Sequence, residues 1–375
     1  MLKIRLKDAK RVVVKVGSNI LTARNDLNIH IIESISHQIC KLINQGVEVL
    51  LVSSGAMAAG LRKMGLKKRP DEIPQRQAIA AVGQSGLMHA YEQAFGRWGK
   101  KVAQILLTSE DLNNRERYLN TRNAFYTLLH WKVVPVINEN DTVKVEEIKL
   151  GDNDNLSAMI ALLMDADFLI NLTDIDGLYN KDPRTYPDAE LIAEVTSCKK
   201  EIEVLASDIP GALGTGGMLS KIHAARKVTA AGIPMIIAKG DKPDILIRLF
   251  NGEQHGTYFV PKNKKLPSRK CWIAYTLKPK GNLILDDGAV QAIRQNGKSL
   301  LPSGIIAVEG DFRVGAAVAF KDRMQQIIGI GLVNYGASEI RTIMGLQSSQ
   351  IKDHLGFKPY DEVIHRDNLV VTEIQ

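Results

Sequence analysis

Between residues 11 and 172 the chain alternates two hydrophobic periods, and this alternation restricts the fold more than any other feature. The strand-like runs are RVVVKV (11–16), VEVLLV (47–52), KVAQILL (101–107), VVPVI (133–137) and DFLINL (167–172). Segments with helical spacing lie between them, at 28–44, 76–95, 116–130 and 155–164. Runs rich in Val, Ile and Leu with little polar alternation are buried on both faces, so the series predicts an α/β fold with a mostly parallel sheet sandwiched by helices. Such sheets bind ligands beyond the carboxyl ends of their strands. The residues just past each strand are therefore informative: Lys15, Gly17 and Ser18 at the first, SSGAMAAG at the second, NEND after VVPVI, and TDIDGLYNKDPR after DFLINL. Each is polar or rich in glycine.

At 375 residues and 45% hydrophobic, the chain can bury two ordinary cores. The net charge of +8 is concentrated, because residues 261–270 (PKNKKLPSRK) carry five basic residues and no acid, whereas 271–375 carry 11 of each sign. Two prolines and this composition read as a solvated linker rather than a nucleic-acid contact. The expected organisation is an α/β domain over 1–260, a basic linker over 261–275, and a second domain with its tail over 276–375. In that second domain NLILDDGAV, GIIAVEG, AAVAF and IIGIGLVNYG alternate with Gly and Asp turns, as in a small β-barrel. Lys15 interrupts the first apolar run, so the N-terminus reads as neither signal peptide nor membrane span, and a cytoplasmic protein is expected. Cys40, Cys198 and Cys271 are isolated and odd in number, which points to buried free thiols rather than a disulfide framework or a zinc site.

Three stretches carry chemistry. GALGTGGMLSK (211–221) places four glycines before a helix, where backbone N–H groups can approach an anion; an ordinary flexible turn is the alternative. It is neither a Walker A loop nor a GxGxxG motif. Lys15 closes a buried strand, which is costly unless its ammonium leaves toward an anion or snorkels to the surface. GDNDNLSA (151–158) sets Asp152, Asn153, Asp154 and Asn155 before an apolar run. It fails the calcium-loop pattern, since Leu156 stands where a ligand belongs. Asp154 or Asn155 is expected to cap the helix, leaving the others for a ligand or for fixing lysines.

Taken together, VVKVGSN (13–19), VSSGAMAAG (52–60), PVINENDTV (135–143), KLGDNDNLSA (149–158), NLTDIDGLY (171–179) and GTGGMLSK (214–221) resemble the amino acid kinase family, within it the members that phosphorylate glutamate. Residues 276 to about 355 resemble the PUA domain of RNA-modification enzymes. Ser18 and Ser220 stand where the family often has threonine, and both keep a hydroxyl. The resemblance implies ATP-dependent phosphorylation of the side-chain carboxylate of L-glutamate, the first step toward proline, with proline as inhibitor, Mg²⁺ bound with ATP, and a homo-oligomer. By the same resemblance Lys15, Lys221 and Asp154 are catalytic, and Ser54, Asp141 and Asn153 hold glutamate. The nucleotide falls to Lys15, Thr173, Asp174, Thr215, Gly216, Gly217, Met218, Leu219, Ser220 and Lys221. No residue is assigned to a metal.

The residues suit that chemistry. A glutamate side chain, with a pKa near about 4.3, is already ionised at neutral pH and needs no general base. Two lysines and glycine N–H groups would offset the repulsion between carboxylate and phosphate. Asp141 would pair with the substrate's free α-ammonium, which an N-acylated glutamate lacks. The rival readings are a kinase for acetylglutamate or aspartate and an RNA-binding protein acting through the C-terminal barrel; the neutral charge of 271–375 weighs against the second.

Overall fold

The computed structural model describes residues 6–23, 26–143, 153–196, 202, 217–261 and 267–371. The chain divides into two compact units, Met1–Lys265 and Leu266–Gln375.

The first unit is built on an eight-stranded sheet. Its strands are β1 (Arg11–Val16), β2 (Glu48–Ser53), β3 (Val102–Leu107), β4 (Val134–Glu139), β5 (Phe168–Thr173), β6 (Glu194–Val195), β7 (Met235–Lys239) and β8 (Thr257–Phe259). They lie in the order β3-β4-β2-β1-β5-β7-β8-β6, all parallel through β7, with β8 antiparallel to β7. All five sequence-read strands are present, within a residue or two of the expected bounds. The chain runs from β1 to β2 on one side and later returns to β5 on the other, so the order reverses beside β1, where open α/β sheets form their ligand crevice.

Helices cover both faces. Val12, Val14 and Val16 point into a core shared with α1 (Ile29–Asn44) and α2 (Ile73–Gly96), through residues such as Ile32, Ile35, Leu87 and Phe95. Strand pleating sends Val13 and Lys15 to the opposite face. There lie α3 (Asn153–Leu163) and α4 (Met218–Ala230), the helices that succeed the acidic run and the glycine-rich loop. SSGAMAAG (53–60), which follows the second strand, is helical beyond Gly55: Ala56–Lys63 forms two turns.

The second unit holds its own core around a five-stranded sheet, including Leu283, Leu285, Val318, Phe320, Ile328 and Tyr335. Two expectations change here. Part of the 261–275 segment expected as linker is helical, Ser268–Tyr275, and Cys271, Trp272 and Ile273 in it are buried. The run NLILDDGAV likewise splits into the strand Gly281–Leu285 and the helix Asp287–Asn296, because Asp286 accepts a hydrogen bond from the Ala289 N–H at 2.7 Å and starts the helix. Cys40 and Cys271 are buried and stand outside any disulfide; Cys198 lies outside the described residues. Among the described residues no helix is long and apolar enough to cross a membrane.

Candidate active site

Lys15 sits one residue before the end of β1, facing the α3–α4 side, and is only 3% exposed. A buried ammonium needs a counter-charge. Asp154, in the first turn of α3 and wholly buried, supplies it through an ion pair from Lys15 Nζ to Asp154 Oδ1. Lys221, in the first turn of α4 and 5% exposed, reaches the other oxygen, Oδ2, at 3.0 Å. Two lysines more than two hundred residues apart therefore meet on one carboxylate.

The carboxylate is held from further directions. Asn171, the in-register neighbour of Lys15 on β5, donates its Nδ2 to Oδ1 at 2.7 Å, and the Ser220 hydroxyl donates to Oδ2 at 2.6 Å. Burial alone would raise the Asp154 carboxyl. The ammonium charges of Lys15 and Lys221, with hydrogen bonds from Lys15 and Ser220, more than offset that effect and hold it far below the usual carboxylate range. Asp154 is thus ionised at neutral pH and engaged on both oxygens, an organiser of lysines rather than a proton acceptor. Two cations on one anion leave a positive cluster.

Two glycines adjoin this cluster, Gly17 beside Lys15 and Gly217 beside Lys221. A Cβ at Gly17 would stand 3.3 Å from the Leu172 carbonyl oxygen and 3.8 Å from Lys15 Nζ, so this glycine lies directly against the ammonium. Gly217 caps the start of α4 without a side-chain hydrogen bond to the helix, leaving backbone N–H groups directed outward at a positive helix end. Thr173 closes β5, buried, and donates to Asp174 Oδ1 at 3.0 Å; Asn19 donates to the other oxygen, Oδ2, at 2.9 Å. Burial would raise Asp174, but these bonds, its own backbone N–H and the nearby Lys221 lower it.

A second polar group flanks the cluster. Asn153 precedes Asp154 and donates its Nδ2 to Ser54 Oγ at 2.9 Å and to Asn138 Oδ1 at 2.9 Å, with the Ser53 carbonyl at 3.3 Å. Asp141 lies close in sequence to Asn138, half-buried in the 3-10 turn Asp141–Val143 beyond β4. Among the residues singled out from sequence, the structure gathers Lys15, Asp154, Ser220 and Lys221 into one cluster, joins Asn153 to Ser54, and sets Thr173, Asp174 and Asp141 at or just beyond the ends of their strands. Met218 is buried and Leu219 half-buried in the same helical turn as Ser220. Thr215 and Gly216 lie outside the described residues.

The capping expectation fails for Asp154 and Asn155. Both stand inside the helix: Asp154 turns to the lysines, and Asn155 accepts from Lys227 Nζ at 2.6 Å and donates to Met159 Sδ one turn further along the same helix. Asn171, Asn138 and Asn19 are site residues that sequence reasoning misses. Each stands within one of the six motifs, and a polar Asn171 between Ile170 and Leu172 in a doubly covered strand is the available signal. Among the described residues no group of three or more His, Cys, Asp or Glu is placed to hold a metal ion.

Residues 10–239 match the pattern of the amino acid kinase family. The chain belongs to the amino acid kinase family. Lys15, Ser54, Asp141, Asn153, Asp154, Thr173, Asp174 and Lys221 all fall inside the matched region. Residues 281–355 of this amino acid kinase match the PUA domain, which accounts for most of the second unit. The chain is 50% identical over 364 residues to the glutamate 5-kinase of Thermoanaerobacter sp. (strain X514), spanning 97% of this chain and 98% of that protein. It is 52% identical over 367 residues to the glutamate 5-kinase of Geobacter metallireducens (strain ATCC 53774 / DSM 7210 / GS-15), 98% of each. Identity to the glutamate 5-kinase of Syntrophus aciditrophicus (strain SB) is 50% over 366 residues, 98% of this chain and 95% of that one. This amino acid kinase is an enzyme of phosphoryl transfer.

Proposed function

We propose that this amino acid kinase transfers the γ-phosphoryl group of ATP to the side-chain carboxylate of L-glutamate, giving glutamyl 5-phosphate and ADP. The observation that carries the reading is the Asp154 carboxylate bridging the buried Lys15 and Lys221. A carboxylate oxygen of glutamate bonds to the γ-phosphorus while the bond from phosphorus to the β–γ bridging oxygen breaks. Both reactants are anions and no proton moves, so the chemistry calls for fixed positive charge rather than a base. A carboxylate saturated by four donors cannot serve as base, and the positive cluster it organises stabilises charge on the transferring group and the departing ADP.

In this reading Lys15, Lys221 and the N–H groups from Gly217 onward hold the ATP phosphates, together with Thr215 and Gly216 of the same loop. Thr173 and Asp174 lie at the nucleoside, and Met218, Leu219 and Ser220 belong to the segment 215–221 that wraps the phosphates. Ser54, Asp141 and Asn153 hold glutamate, with Asp141 paired to the α-ammonium. Mg²⁺ enters as the companion of ATP. The curated relatives, each a glutamate 5-kinase over nearly its whole length, support the choice of substrate. The proposal extends to a first step toward proline with proline as feedback inhibitor, carried out by a cytoplasmic homo-oligomer.

Trapping the acyl phosphate with hydroxylamine tests it. Hydroxamate is expected from glutamate and ATP, with aspartate and N-acetylglutamate giving little. Preferential turnover of either of the latter overturns the assignment.

A further inference from the structure

Lys239 closes β7 on the face of the sheet that carries the lysine cluster, yet it has no part in that cluster. Ile236 and Ala238 join the core shared with α1 and α2, so strand alternation turns Lys239 to the opposite face, the face of Lys15, Asn171 and Thr173. It is the in-register neighbour of Thr173 on β5, and the Gly240 N–H that follows donates to the Thr173 carbonyl at 2.8 Å. A Cβ at Gly240 would stand 2.4 Å from Ile20 Cδ1 and 3.0 Å from Leu172 Cβ, so glycine lets the chain leave β7 in close contact with β5. Lys239 is thereby fixed beside Thr173 and Asp174, the residues proposed to lie at the nucleoside, on a strand against which α4 packs.

Its ammonium is accessible and loosely tied. The side chain is 34% exposed, and its ion-pair partner Asp241, itself 49% exposed, stands 3.7 Å from Nζ, beyond hydrogen-bond distance. Such a pair contributes little. In the loops that follow β5 and β7, Lys181, Arg184 and Lys242 are engaged more closely, by Asp188, Asp182 and Asp176. From Lys15 to Lys239 the sheet spans two strand spacings and the rise of two residues, about 12 Å between Cα atoms. Two lysine side chains reaching toward each other close that separation onto a single triphosphate.

We propose that Lys239 is a nucleotide-binding residue: its ammonium pairs with the α-phosphate, at the end of the triphosphate remote from Lys15 and the reacting γ-phosphorus. The proposal deepens the ATP reading and rests on it. Charge favours the phosphate over base or ribose, since neither of those carries the negative charge that a lysine ammonium pairs with. The α-phosphate changes no bond during transfer, so the contact is the same in ground and transition states and acts on nucleotide affinity rather than on kcat. Lys239 thereby holds what ATP and ADP have in common, while Lys15 and Lys221 serve the group that moves.

The test measures the inhibition constants of ADP, AMP and adenosine against ATP in the full-length enzyme, with steady-state kinetics alongside. In the parent enzyme AMP inhibits more strongly than adenosine. Lys239→Met and Lys239→Gln each raise the KM for ATP and the inhibition constants of ADP and AMP about tenfold, the worth of one hydrogen bond to a charged group. Adenosine inhibition, kcat and the KM for glutamate stay nearly unchanged, and Lys239→Arg, which keeps the charge, keeps most of the affinity. Unaltered ADP and AMP constants in the folded variants make Lys239 a surface lysine only and overturn the proposal. So does a loss for adenosine as large as that for AMP, which puts the contact on the nucleoside, or a parent enzyme that AMP and adenosine inhibit alike. A Lys239→Arg enzyme as weak as Lys239→Met, or failure of both neutral variants to fold, overturns it too, since each makes the residue's role one of shape. A parent enzyme that takes no phosphoryl group from ATP sinks the nucleotide reading and this proposal together, whereas an ATP-dependent kinase whose AMP constant ignores Lys239 sinks the proposal alone.

Discussion

Replacing Asp154 by Asn removes the charge on which two buried lysines converge while leaving volume and shape almost unchanged. Lys15 and Asn171 donate to Oδ1, and Lys221 and Ser220 donate to Oδ2. Whichever way the new amide turns, its NH₂ group faces an ammonium. Removing one partner of a buried ion pair costs about 3–5 kcal/mol, because the remaining charge is left without compensation. For a unit of this size that corresponds to a fall in Tm of roughly 6–20 °C. The loss has a definite pH dependence. The Asp154 carboxyl is held far below its unfolded value, so its contribution is complete above about pH 4 and fades as the pH falls further, toward the folded pKa. The difference between parent and variant is therefore constant from pH 8 to 5 and shrinks in acid. Calorimetry on the unfolding transition that ATP raises, with ADP release assayed in parallel, gives both quantities, and kcat is expected to fall by about a hundredfold or more. A variant melting within 2 °C of the parent, on the order of 1 kcal/mol or less, and turning over at a similar rate refutes the reasoning.

Lys15→Ala and Lys221→Ala each remove charge that the transition state uses, and each lowers kcat by on the order of a hundredfold, measured by steady-state kinetics. Asp141→Ala removes ground-state recognition, so the KM for glutamate rises while kcat changes little. Ser220→Ala deletes one of four donors on Asp154 and costs about 1–2 kcal/mol in thermal denaturation, a loss that Ser220→Thr avoids. A chain ended after Pro261 retains phosphoryl transfer in the hydroxylamine assay, because the active-site residues lie within the first unit.

Much of this is legible in the sequence because it breaks a pattern. Lys15 is a charge in an apolar strand, Asp154 stands in a run of polar residues before an apolar helix, and Lys221 comes after a cluster of glycines. The convergence of the two lysines on one oxygen pair is not legible, since it depends on the return of β5 beside β1 and on the packing of α4 against α3. Basic and proline residues make 261–275 look like a linker, yet Cys271, Trp272 and Ile273 carry enough apolar surface to bury a helix in the second unit. In the acidic run the rules for capping identify a helix start correctly but misassign the side chains, because buried lysines compete for Asp154 more strongly than its own helix N-terminus does.

The most direct measurement is a crystal structure of the enzyme with ADP, aluminium fluoride, Mg²⁺ and glutamate, which mimics the transferring phosphoryl group. The account predicts both lysine ammonium groups within hydrogen-bond distance of the fluoride or of the bridging phosphate oxygens, with Asp154 still between them. Either lysine turned away, or a fluoride group resting against other side chains, would contradict it.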